Sequence, residues 1–471
     1  MSYTRPRLLI SAAHKSSGKT TISLGLAAAL HEQGLKVSPF KKGPDYIDPM
    51  WLQSASGKAC YNLDFYTMSH EEILSTFIEK SHASDISLIE ANKGLYDGMD
   101  LNGSDCNAAL AKLTKSPVVL VIDTRGTSRG IAPLLLGYQS FDPEINIAGV
   151  ILNQVGGSRH ESKLRTVVEH YTDIAVVGAV QRHHDLELTE RHLGLVPSNE
   201  AELASNKINA IKNRIAQQVD LDKIISIANA APTLTLADNS NTVLPDQQTE
   251  DSVRIGIIKD AAFGFYYADD LDNFHRFGAK LISIDALHDT LLPDVDALFI
   301  GGGFPETHLE SLHKNQSLRQ AIHAAIENGL PVYAECGGLM YLCESIQWHD
   351  KDYAMVGTIP ASAIMHAKPQ GRGYIQLQKN IEHPWLQTRM PDNAIIPAHE
   401  FHYSSLTQLP ENTHYAFNVK RGTGINGTYD GYIYKNLLAC YAHQRHTQAN
   451  PWIKDFIHFV KAKKTEQRSR L

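Results

Sequence analysis

RLLISAAHKSSGKTTISLGLAAALHEQG, residues 7–34, decides how the first half of the chain folds. An apolar run gives way to a turn of small residues. TTISLGLAAALHEQG then carries a helical pattern that stops at Gly34, as a helix C-terminus does. The spacing predicts a strand, a tight loop and a helix. The loop has the tail of a phosphate-binding motif. Ser16, Ser17 and Gly18 let backbone N–H groups approach phosphate oxygens, and Lys19 reaches the terminal phosphates. Thr20 holds Mg²⁺, with Thr21 beside it at a helix N-terminus whose dipole favours anions. Ala13 stands where the full motif has its first glycine, so the match is incomplete. A bare strand-to-helix turn with an exposed lysine is the competing reading. The strand before and the helix after weigh against it.

Outward from this stretch, LKVSPF, ISLIEAN, SPVVLVIDT, INIAGVILN and IAVVGAV repeat the apolar runs with helical text between them. Near-continuous apolar strands alternating with helices predict an α/β fold whose parallel sheet is covered on both faces. Residues 231–252, APTLTLADNSNTVLPDQQTEDS, lack a period and are expected to be a linker between domains 1–230 and 253–462. The second series, VRIGIIKD, VDALFIGGG and LPVYAEC, predicts another α/β core. Added antiparallel strands are expected after about residue 350. The basic end 463–471 is expected to fray.

At 471 residues and 43% hydrophobic content, the chain can bury more than one core. A formal charge of −7 without long blocks of one sign offers no footprint for nucleic acid or an anionic membrane, so small-molecule partners are favoured. Five scattered cysteines without a C-x-x-C pair argue against a disulfide framework or a structural zinc and fit a reducing cytoplasm. The first apolar run is too short for a signal peptide, and no later run reaches spanning length.

A phosphate loop that uses a metal needs carboxylates. FKKGPDYIDP supplies Asp45 and Asp48, and LIEANKGLYDG supplies Glu90 and Asp97. Glu90 directly follows an apolar strand, at the carboxyl end where open α/β sheets bind ligands. Asp45 and Asp48 could equally be turn formers. Asp123, at the end of VVLVID, is a weaker candidate for contacts near a nucleotide.

PVYAECGGLMYL, residues 331–342, sets Cys336 between a strand and a glycine pair that opens a helix. That corner presents a nucleophile at the top of a sheet with a helix N-terminus beneath it. His443 in ACYAHQRH is the expected base, and Gly302, Gly303 and Gly337 are expected to supply oxyanion N–H groups. Cys60, Cys106, Cys343 and Cys440 are expected to be inert core residues. His399 and His402 in AHEFHYS fall on opposite faces of a strand, and His183 and His184 lack a third ligand by spacing. Structural or substrate-contact roles are expected for all four. The aromatics of FGFYYADDLDNFHRFG are expected to pack a helix.

These motifs, together with GVILNQVGGSRH and ERHLGLVPSNE, stand in the order found in one family. The chain resembles the cobyrinic acid a,c-diamide synthases, glutamine-dependent amidases that use ATP. They are related to cobyric acid synthase and, through the N-terminal half, to dethiobiotin synthetase. The resemblance implies a P-loop synthetase domain followed by a class I glutamine amidotransferase-like domain. It implies ATP, Mg²⁺ and glutamine as reactants or cofactor, and amidation of the a and c acetate side chains of a tetrapyrrole, first of all cobyrinic acid, through an acyl phosphate. Cys336 would attack the glutamine amide as half of a Cys–His pair lacking the third carboxylate of other glutaminases. Ser16–Thr21 would form the nucleotide set, and Thr20, Asp48 and Glu90 would hold the metal. Asp45, Asp97, Lys42 and Lys93 would lie near the substrate.

Lys42 replaces an apolar residue, and EANKGLYDG replaces an EGVMGLYDG-like text. The added charge at Lys42 and Lys93 keeps sirohaem and nickel-sirohydrochlorin open as substrates, and a homodimer is the assembly to test. A P-loop regulatory ATPase fused to an inert glutaminase-like module is the reading from a different class. It predicts loss of the nucleophile, the distal histidine or the glycine loop, and all three are present.

Overall fold

Arg7–Ala12 is a strand and Lys19–Glu32 a helix, joined by the predicted tight loop. The computed structural model describes residues 2–188, 190–191, 194–198, 204–235, 253–385 and 394–468. By its internal contacts the chain divides into two units, 1–242 and 243–471.

All six predicted strands of the first unit form and lie side by side in one parallel sheet. Its order is Tyr61–Leu63, Val37–Lys42, Ile86–Glu90, Arg7–Ala12, Val118–Asp123, Ile147–Val155, Ala175–Gln181. Tyr61–Leu63 is a seventh strand, too short to have shown a period. Arg7–Ala12 is buried along its whole length, since helices cover both faces of the sheet. Its neighbours are reached by crossovers in opposite directions, so the phosphate loop sits at a topological switch point. Arg7, fully buried at the other end of that strand, satisfies its guanidinium on the carbonyls of Arg5, Thr114, Lys115 and Pro232.

That last bond corrects the expected linker. Leu234–Thr235 pairs antiparallel with Ser2–Tyr3, and Leu234 is buried, so residues 231–235 belong to the first unit. Residues 236–252 of the expected linker lie outside the described residues.

The second unit is α/β with a mixed nine-stranded sheet. Ala279–Ile284, Val253–Ile258, Ala297–Ile300, Val332–Glu335 and Leu437–Cys440 run parallel. Tyr429–Tyr434, His414–Arg421, Gly371–Lys379 and Ile395–His402 continue it antiparallel. The sheet curls enough for His399, on its last strand, to bridge back to His443, just beyond Leu437–Cys440. The segment of His443, predicted for the site, thereby meets that of His399. The basic end is corrected too: the helix Trp452–Arg468 runs through most of it, anchored by buried Trp452, Phe456 and Val460. Among the described residues no helix is long and apolar enough to cross a membrane.

Candidate functional site

Each unit carries a cluster of chemically capable side chains at the carboxyl ends of its parallel strands. In the first, Gly18 caps the helix Lys19–Glu32 with φ 88°, a left-handed conformation that favours glycine. A Cβ there would also strike the Asn153 amide, whose Nδ2 donates to the Ser17 carbonyl at 2.8 Å. Ser16 is left-handed as well and exposed, whereas Ser17 is buried and donates to the His14 carbonyl at 2.8 Å. Thr21 turns aside to the Leu186 carbonyl at 3.2 Å.

Thr20 faces the acidic set. Its hydroxyl donates to Glu90 Oε1 at 2.7 Å and lies 3.3 Å from Asp48 Oδ2. Glu90 Oε2 is buried without a hydrogen-bond partner among the described residues, and the three oxygen donors suit a hard cation such as Mg²⁺. Lys41, buried, joins them through Asp48, through Glu90 at 3.2 Å and through Asp45 at 3.6 Å. Burial opposes a charge on Lys41, but these carboxylates outweigh it and raise its pKa well above the ordinary lysine value. Burial and the neighbouring Lys41 lower that of Lys19, against the pull of Glu90 and Asp48.

The sequence reading selected Lys42, whereas the structure places Lys41 with the carboxylates. Successive strand residues face opposite ways, and Lys41 lies directly across from Glu90 in the parallel register. Lys42 instead donates to the Asp105 carbonyl, with its ammonium 6.0 Å from the centre of the Phe65 ring. Lys93 is exposed. Asp45 accepts from the backbone N–H groups of Ile47 and Asp48, and Asp97 accepts from that of Gly94 at 2.9 Å. Asp123 is engaged by the Arg125 guanidinium at 2.9 and 2.6 Å, which holds its carboxyl below the usual range although burial pushes it up.

In the second unit, Cys336 closes the strand Val332–Glu335 and caps the helix Gly337–Leu342 with φ 48° and ψ −104°. A side-chain-bearing residue is strained there. Two backbone bonds pin it, from Cys336 N–H to the Cys440 carbonyl at 2.8 Å and from Met340 N–H to the Cys336 carbonyl at 3.1 Å. His443 is in hydrogen-bond contact with the thiol. Burial works against a charge on His443, but Cys336 and Glu335 outweigh it and raise the imidazole to about 10.

The glycine loop closes around this pair. Gly302–Gly303 is a short strand paired with Phe263–Phe265. A Cβ on Gly302 would come within 2.5 Å of His443 Cε1, and one on Gly337 would come within 3.1 Å of the Gly303 nitrogen. The structure therefore brings Cys336, His443, Gly302, Gly303 and Gly337 together.

Three further side chains join this cluster: His399, expected in a structural or substrate-contact role, Tyr267, expected to pack a helix, and Glu335, which the sequence did not single out. His399 stacks on His443 with ring centroids 4.8 Å apart and 14° between the planes, and its Nδ1 is 3.2 Å from the Tyr267 hydroxyl. Burial, then the charges of His443 and Arg445, hold His399 well below the ordinary histidine value. Glu335 Oε2 lies 3.4 Å from His443 Nδ1. The family resemblance implied a pair without a carboxylate. Here one is present, contributed by the residue immediately before the nucleophile. His402, on the opposite strand face, stacks on Tyr441 at 3.9 Å. The cluster His183, His184 and Asp185 is already tied to Arg214, whose NH2 lies 2.8 Å from His183 Nε2.

Residues 9–196 match the CobQ/CobB/MinD/ParA nucleotide binding domain, and residues 254–451 match the CobB/CobQ-like glutamine amidotransferase domain. The chain is 42% identical to the cobyrinate a,c-diamide synthase of Magnetococcus marinus, over 96% of each protein. Identity to the synthase of Archaeoglobus fulgidus is 41%, over 93% of this chain and 94% of that one. Identity to the synthase of Dehalococcoides mccartyi is 37%, over 97% and 98%. Two domains matched in this order, and likeness of this degree over nearly the full length, mean that the chain belongs to the cobyrinate a,c-diamide synthase family and is a glutamine-dependent amidating ligase.

Proposed function

We propose that the protein amidates the a and c acetate side chains of cobyrinic acid, using ATP to activate each carboxylate and glutamine to supply the nitrogen. The observation that carries the glutamine half is Cys336, held in a strained corner in contact with His443. The substrate rests on the names of the relatives, each a cobyrinate a,c-diamide synthase. The sirohaem reading drew on Lys42 and Lys93; the Lys42 ammonium is engaged by a backbone carbonyl and Lys93 is exposed, so Lys93 is the charge left to carry it.

A carboxylate resists amines because its leaving group would be oxide. In the proposed reaction a substrate carboxylate oxygen attacks the γ-phosphorus of ATP and ADP leaves. Ammonia then attacks the resulting acyl phosphate and expels inorganic phosphate. Lys19 neutralises charge on the transferring phosphoryl group, and the backbone of Ser16–Gly18 cradles the phosphates. Thr20, Asp48 and Glu90 would hold Mg²⁺, which when bound offsets phosphate charge. Lys41 orients Asp48 and Glu90.

In the second unit, the Cys336 sulfur attacks the side-chain amide carbon of glutamine, and the oxyanion develops towards the N–H groups of the glycine loop and Gly337. His443 takes the thiol proton and passes it to the departing nitrogen, which leaves as ammonia. It then activates the water that hydrolyses the thioester to glutamate.

Gly303→Ala is expected to lower glutamine-driven turnover at least about tenfold, because a Cβ there strikes the Ala262 carbonyl and comes within 2.8 Å of Phe263 Cα, which displaces the loop. Turnover with ammonium chloride in place of glutamine is the comparison that checks it, and should change little.

The substrate is tested by mass spectrometry after incubation with ATP, Mg²⁺ and glutamine, offering cobyrinic acid and sirohaem in parallel. Two additions of about 1 Da lower mass each, on cobyrinic acid alone, are expected, since amidation replaces OH by NH₂. Amidation of sirohaem alone would overturn the substrate assignment.

A further inference from the structure

Val332–Glu335 places Tyr333 and Glu335 on one face of the strand, two residues apart. The Tyr333 hydroxyl donates to Glu335 Oε1 at 2.6 Å, and the Gln444 N–H donates to the same oxygen at 2.9 Å. Two fixed donors on one oxygen set the plane of the carboxylate and leave Oε2 towards His443 Nδ1, 3.4 Å away. Gln444 is the residue after His443, so the histidine and the carboxylate are registered by a backbone bond as well. Glu335 and His443 are both buried, which strengthens their attraction and excludes competing water.

Residues 335 and 336 would face opposite ways in a continuing strand. The left-handed φ of Cys336 ends the strand and re-aims the thiol, so that both side chains reach the same imidazole. With Nδ1 turned to Glu335, Nε2 is the nitrogen available to the thiol.

We infer that Glu335 is the third member of the glutaminase site, a positioning residue that fixes the His443 tautomer and stabilises the imidazolium formed when His443 takes the Cys336 proton. The proton moves from sulfur to Nε2 and on to the leaving nitrogen, and Nδ1 keeps its own. At 3.4 Å the contact is an ion-pair approach, longer than an ordinary hydrogen bond. The inference rests on the roles proposed above for Cys336 and His443.

The full-length protein is tested as Glu335→Gln, Glu335→Asp and Cys336→Ala. Three quantities are read: kcat and KM for glutamine, amidation driven by ammonium chloride, and the rate of Cys336 alkylation by iodoacetamide against pH. Glu335→Gln is expected to lower kcat for glutamine by on the order of 10²-fold with KM changed less than about threefold. The alkylation midpoint should move by about one pH unit, since Glu335 no longer favours the imidazolium that pairs with the thiolate. Glu335→Asp, which keeps the charge, should recover part of both effects. Ammonium-driven amidation should stay near wild type.

An alkylation profile identical in Glu335→Gln and wild type would overturn the inference. So would loss of ammonium-driven amidation in both Glu335 variants, which would mark the residue as structural. Glutamine hydrolysis surviving in Cys336→Ala would instead overturn the assignment of the nucleophile.

Discussion

Cys336→Ala is expected to abolish glutamine-driven amidation, by on the order of 10⁴-fold or more, while amidation from ammonium salts continues. The asymmetry follows from the division of chemistry between the two units. Removing the sulfur removes the only step at which a carbon–nitrogen bond of glutamine breaks, and it leaves the phosphate loop and its carboxylates untouched. The substitution opens little space, and Glu335 still faces the His443 ring. Product formation followed with each nitrogen source in turn is the check. Loss of both would mean that the two half-reactions are not separable, and retention of both would remove Cys336 from the chemistry.

Lys19→Met gives the complementary result. Both nitrogen sources should fail, each by on the order of 10³-fold, because the charge lost acts on the phosphoryl group before ammonia takes part. Methionine keeps most of the buried stem of Lys19, so packing against the sheet is retained. Labelling of Cys336 by iodoacetamide should proceed as in the wild type. A variant that kept full ammonium-driven turnover would place the ATP chemistry elsewhere.

The parts of this architecture that were legible in the sequence are those where one local pattern carries the information. Six strands of the first unit could be read because burial on both faces makes them continuously apolar. Cys336 and the phosphate loop could be read because a strand, a small-residue turn and a helix lie contiguously.

What escaped depends on register and distance. Lys41 and Lys42 are adjacent lysines, and only the pairing of Lys41 opposite Glu90 decides which of them faces the carboxylates. Tyr61–Leu63 has no period to detect at its length. His399 and Tyr267 join His443 from segments far apart in the chain, through a bridge that the curl of the sheet creates. Glu335 stood beside the nucleophile in plain text. The sequence did not single it out, and the left-handed φ at residue 336 is what lets residues 335 and 336 reach the same imidazole.

The strain at Cys336 makes the second unit a loaded spring as well as a scaffold. A conformation of this kind costs about 1–3 kcal/mol, a noticeable share of the roughly 5–15 kcal/mol by which domains are stable. It is maintained by the neighbouring strand Leu437–Cys440, through the Cys440 carbonyl, and by the first turn of the following helix. Slackening that strand would let the corner relax before the sheet comes apart. Glutamine hydrolysis would then fade at temperatures where the fold is still intact, and the limit on the working range would be set by the tension at one strand-to-helix corner rather than by melting.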